Sequence, residues 1–298
     1  MRIFRNKDEF DIEKTAVALG NFDGLHIAHK RIIERSVEYG RTHGCAGGVL
    51  LFDRHTRTSD VPLIMTIEQK LEILERMGVD FVYIQSFNDE FRRRSTVEFA
   101  EFLKDALRAG AVCVGYDYRF GYRACGGVAE LNGLGERFGF DVEVVPPVML
   151  DGEIVGSTGI RALISDGNME KAARFLGRYF FLEGVVSYGL KNGTKMGFPT
   201  ANILARDDMA LPSFGVYTGY VQVRGKRFHA VINVGKNPTF NAREITIESH
   251  LLDFDEDIYG EQIRVEFVRK TRGIYKFESI DQLKERIALD VKEAERLL

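Results

Sequence analysis

The spacing of apolar runs changes part-way along the chain, and that change limits the fold more than any other feature. TAVALG (15–20), GGVLLF (47–52), FVYIQSF (81–87), AVCVGY (111–116) and VEVVPPVML (142–150) are short apolar runs separated by helical patterns. Continuous runs of this length suit buried strands of a parallel sheet covered on both faces. The intervening helices carry their own signals. One spans Leu25 to Tyr39 and stops at Gly40, one starts at Thr66 with Gln69 three residues on, and one starts at Ser95 with Glu98 in the same relation. The last two pairs read as capping boxes. Strand–helix alternation predicts a doubly wound α/β sheet, which binds ligands beyond the carboxyl ends of its strands.

After a helix at 169–176 that ends near Gly177, the runs crowd together: FLEGVVSYG (181–189), GVYTGYVQV (215–223), RFHAVINVG (227–235), ITIESHLLDF (245–254) and IRVEFVRKT (263–271). The Arg224-Gly225-Lys226 link is short enough for a hairpin. Close, alternating strands predict an antiparallel sheet or small β-barrel. A terminal helix over 281–298 follows, with Leu283, Ile287, Val291 and Ala294 on one side. The two domains are therefore expected at 1–180 and 181–298.

The chain has 298 residues, 45% hydrophobic and 29% charged, enough to bury one or two cores and too apolar for disorder. Lys plus Arg number 41 against 44 Asp plus Glu, a net charge of -3. No overall basic field exists to hold nucleic acid or an anionic membrane. Cys45, Cys113 and Cys125 lack metal-ligand spacing, and so few cysteines fit a reducing cytoplasm. The opening MRIFRNKDEFDIEK is charged and has no apolar region of the signal-peptide kind. No run approaches the ~20 apolar residues of a membrane helix. A cytoplasmic protein with no membrane or nucleic-acid partner is expected.

In ALGNFDGLHIAHKRII (18–33) a strand ends at Gly20, a turn through Asn21, Phe22 and Asp23 follows, and a helix begins. His26 and His29, three apart, share a face of the helix's first turn. The N–H groups and dipole there favour phosphate, and two imidazoles can stabilise charge that develops on it. An isolated H-x-x-H is more often a pair of surface histidines; the strand–turn–helix setting favours function. The segment resembles the H-x-G-H motif of the nucleotidylyltransferase superfamily. GNFDGLH is similar to its form in FMN adenylyltransferases, the FAD synthetase half of the bacterial bifunctional riboflavin kinase/FMN adenylyltransferase family. Ala28 replaces the usual glycine. Another member of the superfamily, a relic of a tRNA-synthetase catalytic domain, is the alternative; that family's larger appended domains are not found here.

Three further segments bear on the same half. GYDYRFGYRACGG (115–127) resembles the family's G-x-D-F-x-F-G loop, with Tyr118 for phenylalanine; the resemblance puts Asp117 near flavin and metal. Phe120, Gly121, Gly126 and Gly127 suit a loop closing over a flat ring, or one packing on the sheet edge. GSTGIRALI (156–164) resembles S-S-T-x-I-R, with Gly156 for the first serine. Ser157 and Thr158 stand where N-caps hold phosphate, and Arg161 would neutralise pyrophosphate. In FDRHTR (52–57) His55 persists while Arg54 and Thr56 replace the family's prolines.

VVSYGLKNGTKMGFPTANI (185–203) is the most specific segment. Gly189, Gly193 and Gly197 let backbone N–H groups close around phosphates, and Lys191 and Lys195 add charge. Thr200 and Asn202, two apart in an extended segment, share a face that can meet magnesium and its phosphate ligands. GFPTANI, including Phe198 and Pro199, stands letter for letter as in riboflavin kinases. GVYTGYV, NVGKNPTF, TIESHLLDFDEDIYG and DQLKERIALDVKEA follow in the family's order. The resemblance makes Glu248 the catalytic base and puts Asn233 and Thr239 in loops around nucleotide or flavin. Arg272 lies in TRGIYKF, where Ile274 replaces the family's glutamate.

The resemblance implies two activities: phosphorylation of riboflavin to FMN, and adenylylation of FMN to FAD, with ATP as co-substrate and magnesium as the metal. The competing readings are a riboflavin kinase with a weakened adenylyltransferase half, and a flavin or nucleotide sensor without turnover.

Overall fold

All five early apolar runs enter one parallel sheet of the computed structural model, which describes residues 1–54, 61–187, 198–236 and 245–297. The chain divides into two compact units, Met1–Ser157 and Thr158–Leu298. In the first, β1 (Arg2–Phe4), β2 (Thr15–Leu19), β3 (Ala46–Phe52), β4 (Phe81–Gln85), β5 (Ala109–Gly115) and β6 (Asp141–Val145) stand in the order β1-β4-β3-β2-β5-β6, all neighbours parallel. Alternate residues face opposite helix layers. Val17, Leu19, Val112 and Val114 pack with Phe99 and Leu103 of α4 (Thr96–Asp105) and Leu131 and Leu134 of α5 (Val128–Phe138). Ala16 and Ala111 pack with Tyr39 of α1 (Ile27–His43). Both capping boxes form reciprocally, on α4 and on α2 (Ile67–Arg76).

Four details depart from the sequence expectation. The three-residue β1 and the one-turn helix α3 (Asp89–Arg92) were too short to leave a periodic signal. VEVVPPVML does not make one strand. Pro146 and Pro147 follow β6, and β7 (Met149–Leu150) pairs with β8 (Glu153–Ile154) in a separate hairpin. β6 is an edge strand and only half buried. Finally, α1 runs through Gly40 and ends at Gly44, whose φ is 63°. A Cβ on Gly40 would sit 2.7 Å from the Cys45 carbonyl oxygen, so this glycine permits close helix–strand contact rather than a stop.

The second unit begins with α6 (Ser157–Asp166, its first residue assigned to the first unit) and α7 (Met169–Leu176), which ends at Gly177 as expected. β9 (Phe180–Val185), β10 (Ala201–Leu204), β11 (Gly215–Val223), β12 (Lys226–Lys236), β13 (Ile245–Leu251) and β14 (Gln262–Arg272) form an antiparallel sheet in the order β10-β13-β12-β11-β14-β9. Its ends approach each other: Ser187 N–H donates to the Asn202 carbonyl at 2.8 Å, and Gly184 packs on Ile203. The result is a nearly closed barrel. Tyr217, Val221, Ile232, Val234, Ile247, Val265 and Phe267 fill its interior. On the outer face, Val291 and Ala294 of α8 (Ile280–Leu297) cover Val216 and Val231. Val223 pairs with Lys226, so the hairpin turn is Arg224-Gly225 alone.

Candidate active sites

β13 places Glu248 between Asn202 of β10 and Asn233 of β12, its direct partners on either side. Direct partners in antiparallel strands project from the same face, with Cβ atoms ~4.5–5.5 Å apart. The row continues through Val216 of β11 to Arg272 of β14. It lies on the outer face, because the neighbouring Ile247, Ser249 and Val234 point into the barrel and are buried. Burial raises the Glu248 carboxyl above its ordinary pKa, against a smaller opposing pull from the Asn233 side-chain hydrogen bond. A carboxylate so placed is a better proton acceptor than an exposed one.

Thr200 joins the row through Asn202. The Asn202 Nδ2 donates to the Thr200 carbonyl at 3.2 Å and to Thr200 Oγ1 at 3.4 Å. A carbonyl only accepts, so the amide nitrogen faces Thr200 and the amide oxygen turns away from it. Thr200 and Asn202 therefore offer neutral oxygens. That donor set fits a small hard cation that keeps several waters and binds largely through substrate phosphates. Among the described residues no cluster of three His, Cys, Asp or Glu could hold a metal. Gly189, Lys195 and Gly197, with Gly193, Lys191 and Thr239, lie outside the described residues.

Sequence reasoning passed over two features beside this row. His250, two residues beyond Glu248, has Nδ1 at 2.8 Å from the Pro199 carbonyl and its ring in a T-shaped contact with Phe198 at 5.4 Å. A cavity of about 120 Å³ is lined by Thr200, Pro199, Val186, Phe254, Ile258 and Tyr259, among others. The His–Glu spacing of two, on one strand face with Glu248, was the readable signal for the first. The cavity had none, because it needs the segment after β13 to fold back.

In the first unit, β3 lies on one side of β2 and β5 on the other, so the strand order reverses between β2 and β5. Ligand crevices open beyond the carboxyl ends at such a point. The turn after β2 is tight: Phe22, Gly24 and Leu25 have φ of 47°, 87° and 39°. Phe22 and Leu25 are fully buried beneath it, and Gly20 packs on the Phe22 ring. His26 is the N-cap of α1 rather than a residue of its first turn. Its Nδ1 accepts the His29 N–H at 3.2 Å, and the two rings stack at 3.5 Å. An accepting Nδ1 fixes the neutral tautomer with the proton on Nε2, a donor suited to phosphate oxygen.

Other residues named from sequence hold the scaffold. The buried Asp23 carboxylate accepts N–H groups of Ile64 and Met65 at 3.0–3.3 Å. The Asn21 carbonyl accepts Lys70 Nζ at 3.2 Å. Ser157 does not stand before its helix as a cap. It is the first residue of α6, and its hydroxyl donates to the Asp23 carbonyl at 2.8 Å. Asp117 is exposed on the turn after β5, while Phe120 is buried against Phe99. Phe120 therefore anchors its loop in the core. Thr158 is exposed and Arg161 half-buried on α6. His55 lies outside the described residues. A larger open groove of about 980 Å³, lined by charged residues of both signs such as Lys7, Arg94 and Glu101, contains none of these residues.

Two family models match the chain, one described as FAD synthetase over residues 8–159 and one as riboflavin kinase over 176–298. The chain is 34% identical to a bifunctional riboflavin kinase/FMN adenylyltransferase of Haemophilus influenzae, covering 95% of this chain and 94% of that protein.

The chain belongs to the bifunctional riboflavin kinase/FMN adenylyltransferase family.

The same description attaches to a relative in Escherichia coli K12, 33% identical over 97% of this chain and 95% of that one. A crystal structure titled as a macrolide-efflux protein from Streptococcus pneumoniae superposes with a TM-score of 0.90 at 29% identity, covering 99% of both chains. In this chain no helix among the described residues is long and apolar enough to cross a membrane. The riboflavin kinase match contains the whole Asn202–Glu248–Asn233 row, and the FAD synthetase match contains His26, His29 and Asp117.

Proposed function

We propose that the C-terminal kinase site transfers the γ-phosphoryl group of ATP to the ribityl 5′-hydroxyl of riboflavin, giving FMN and ADP. The N-terminal site lets the FMN phosphate attack the α-phosphorus of a second ATP, giving FAD and pyrophosphate. The functional division follows residues 1–180 and 181–298, and the protein works in the cytoplasm on small molecules alone. The observation that carries this reading is the row in which Glu248 stands between Asn202 and Asn233 on one sheet face.

In the kinase site Glu248 accepts the hydroxyl proton as the oxygen attacks phosphorus. Asn233 holds its carboxylate in place. Thr200 and Asn202 would hold magnesium, which when bound supplies positive charge to the phosphates. The resemblance assigns phosphate binding to Gly189, Lys195 and Gly197, and Phe198 and Pro199 lead into Thr200. In the adenylyltransferase site the Nε2–H of His26 and the stacked His29 donate to the reacting phosphate. Asn21 and Asp23 shape the turn, with Gly20 and Phe22 beneath it; the resemblance assigns Ser157, Thr158, His55 and Asp117 to nucleotide and flavin binding. Arg161 neutralises the departing pyrophosphate.

Supplying riboflavin and FMN as separate substrates, each with ATP and magnesium, tests both halves. FMN and FAD should form from riboflavin, and FAD from FMN. Riboflavin conversion that stops at FMN, with FMN itself inert, would leave only the kinase assignment standing. No product from either substrate would reject both.

A further inference from the structure

Thr200 is held from both sides. Its own carbonyl, in the peptide that follows it, accepts from Asn202 Nδ2 at 3.2 Å. The carbonyl of Pro199, in the peptide that precedes it, lies 2.8 Å from His250 Nδ1. Because that carbonyl can only accept, Nδ1 is the donor. Each hydrogen bond fixes one of the two peptide planes that meet at the Thr200 Cα. Once both planes are set, φ and ψ at Thr200 are set, and so is the direction of its Cα–Cβ bond.

Residues 198–200 are outside any helix or strand, and β10 begins only at Ala201. Pro199 is exposed and brings no backbone N–H. The His250 ring meets the segment at two points, its Nδ1 on the carbonyl and its ring in a T-shaped contact with Phe198 at 5.4 Å and 87°. His250 itself stands on β13, two residues from Glu248 and hence on the same face. One rigid strand thus carries the proton acceptor and the group that sets the direction of Thr200.

We infer that His250 is a positioning residue of the kinase site, orienting the Pro199–Thr200 peptide so that the Thr200 hydroxyl meets the metal-bound phosphates in register with Glu248. The inference rests on the reading of Thr200 as a metal-holding residue. It requires the Nδ1 donor and not merely an aromatic ring. Misplacing one such group is enough to slow a reaction by on the order of 10–10²-fold.

The test compares His250→Phe, His250→Asn and His250→Ala in the full chain, at one fixed pH, with FMN formation and FMN-to-FAD conversion measured on each protein. Phenylalanine keeps a ring for Phe198 and loses the donor; asparagine restores an N–H near the Nδ1 position. His250→Phe and His250→Ala should lower kcat for FMN formation by on the order of 10–10²-fold and raise KM for the magnesium–ATP complex. KM for riboflavin should stay within about twofold, and so should FAD formation from FMN. His250→Asn should return to within about threefold of wild type, the scale of one weakened hydrogen bond. The phenylalanine and asparagine variants carry the test should the alanine variant fail to fold.

A double-mutant cycle separates this inference from the reading beneath it. If His250 acts through Thr200, Thr200→Ala combined with His250→Phe is no slower than Thr200→Ala alone. Independent, multiplying losses would overturn the inference, as would a His250→Phe protein with wild-type kcat, or phenylalanine and asparagine variants that are equally slow. A Thr200→Ala protein that still makes FMN normally would overturn the metal reading itself, and the inference with it.

Discussion

Glu248 has to be charged to accept a proton, yet burial in the fold disfavours that charge. The conflict has a measurable consequence for stability. The folded pKa lies above the ordinary value of 4.5, so folding favours the neutral form. The associated stabilisation is fully present below the unfolded pKa and is lost as pH rises through the folded one. Glu248→Gln should therefore gain stability relative to wild type as pH rises above 4.5, measured by urea unfolding without nucleotide or metal. A constant difference across that range would contradict the shift. For the same reason the acid limb of kcat/KM for FMN formation should have its midpoint above the ordinary carboxylate value.

His26 separates structure from chemistry in another way. Its Nδ1 caps α1 while its Nε2 carries the proton. Asparagine is a good N-cap, so His26→Asn should keep the thermal midpoint and slow FAD formation by on the order of 10²-fold. His26→Ala should lose the activity and also about 1 kcal/mol of stability. Equal midpoints for the two variants would remove the capping role. Burial pushes the Cys113 thiol up to about 12, which leaves it inert at neutral pH and fits a mechanism with no covalent enzyme intermediate.

At the scale of elements, α8 is fixed by charge as well as by packing. Asp290 is almost fully buried and accepts from Arg272 Nε and Nη2 at 2.7–3.1 Å and from Arg286 Nε at 3.0 Å. Removing one member of a buried pair leaves the other uncompensated, at a cost of about 3–5 kcal/mol. Asp290→Ala should destabilise the barrel by that amount in urea unfolding; a loss below about 1 kcal/mol would show the pair to be dispensable. The same elements mark what could be read in advance. Thr66–Gln69, Ser95–Glu98 and Arg224-Gly225 announced themselves because capping and tight turns are decided by neighbouring residues. Gly40 misled because its neighbour is Gly47, a strand residue that no local pattern connects to it. The edge position of β6 depends on strand order, which VEVV alone cannot carry.

In the whole molecule, each unit contributes its own candidate site residues, the Glu248 row in one and the His26–His29 pair in the other. Sequence spacing and the resemblance put Thr200, Asn202 and Glu248 within reach of one another, and the strand register brings them into one row. They did not reveal that Asp23 also accepts the Ile64 N–H or that Ser157 also donates to the Asp23 carbonyl, because both bonds join distant parts of the chain. His250 escaped notice because its hydrogen bond crosses from β13 to a segment 51 residues away. With the groups so divided, single substitutions should silence one reaction at a time. The most direct measurement is FMN formation from riboflavin by Glu248→Gln beside wild type, with FMN-to-FAD conversion followed in the same preparations. FMN formation should fall by about 10²–10⁴-fold, the usual contribution of a general base, while FAD formation from supplied FMN continues at the wild-type rate. A Glu248→Gln protein that phosphorylates riboflavin as fast as wild type would contradict the account.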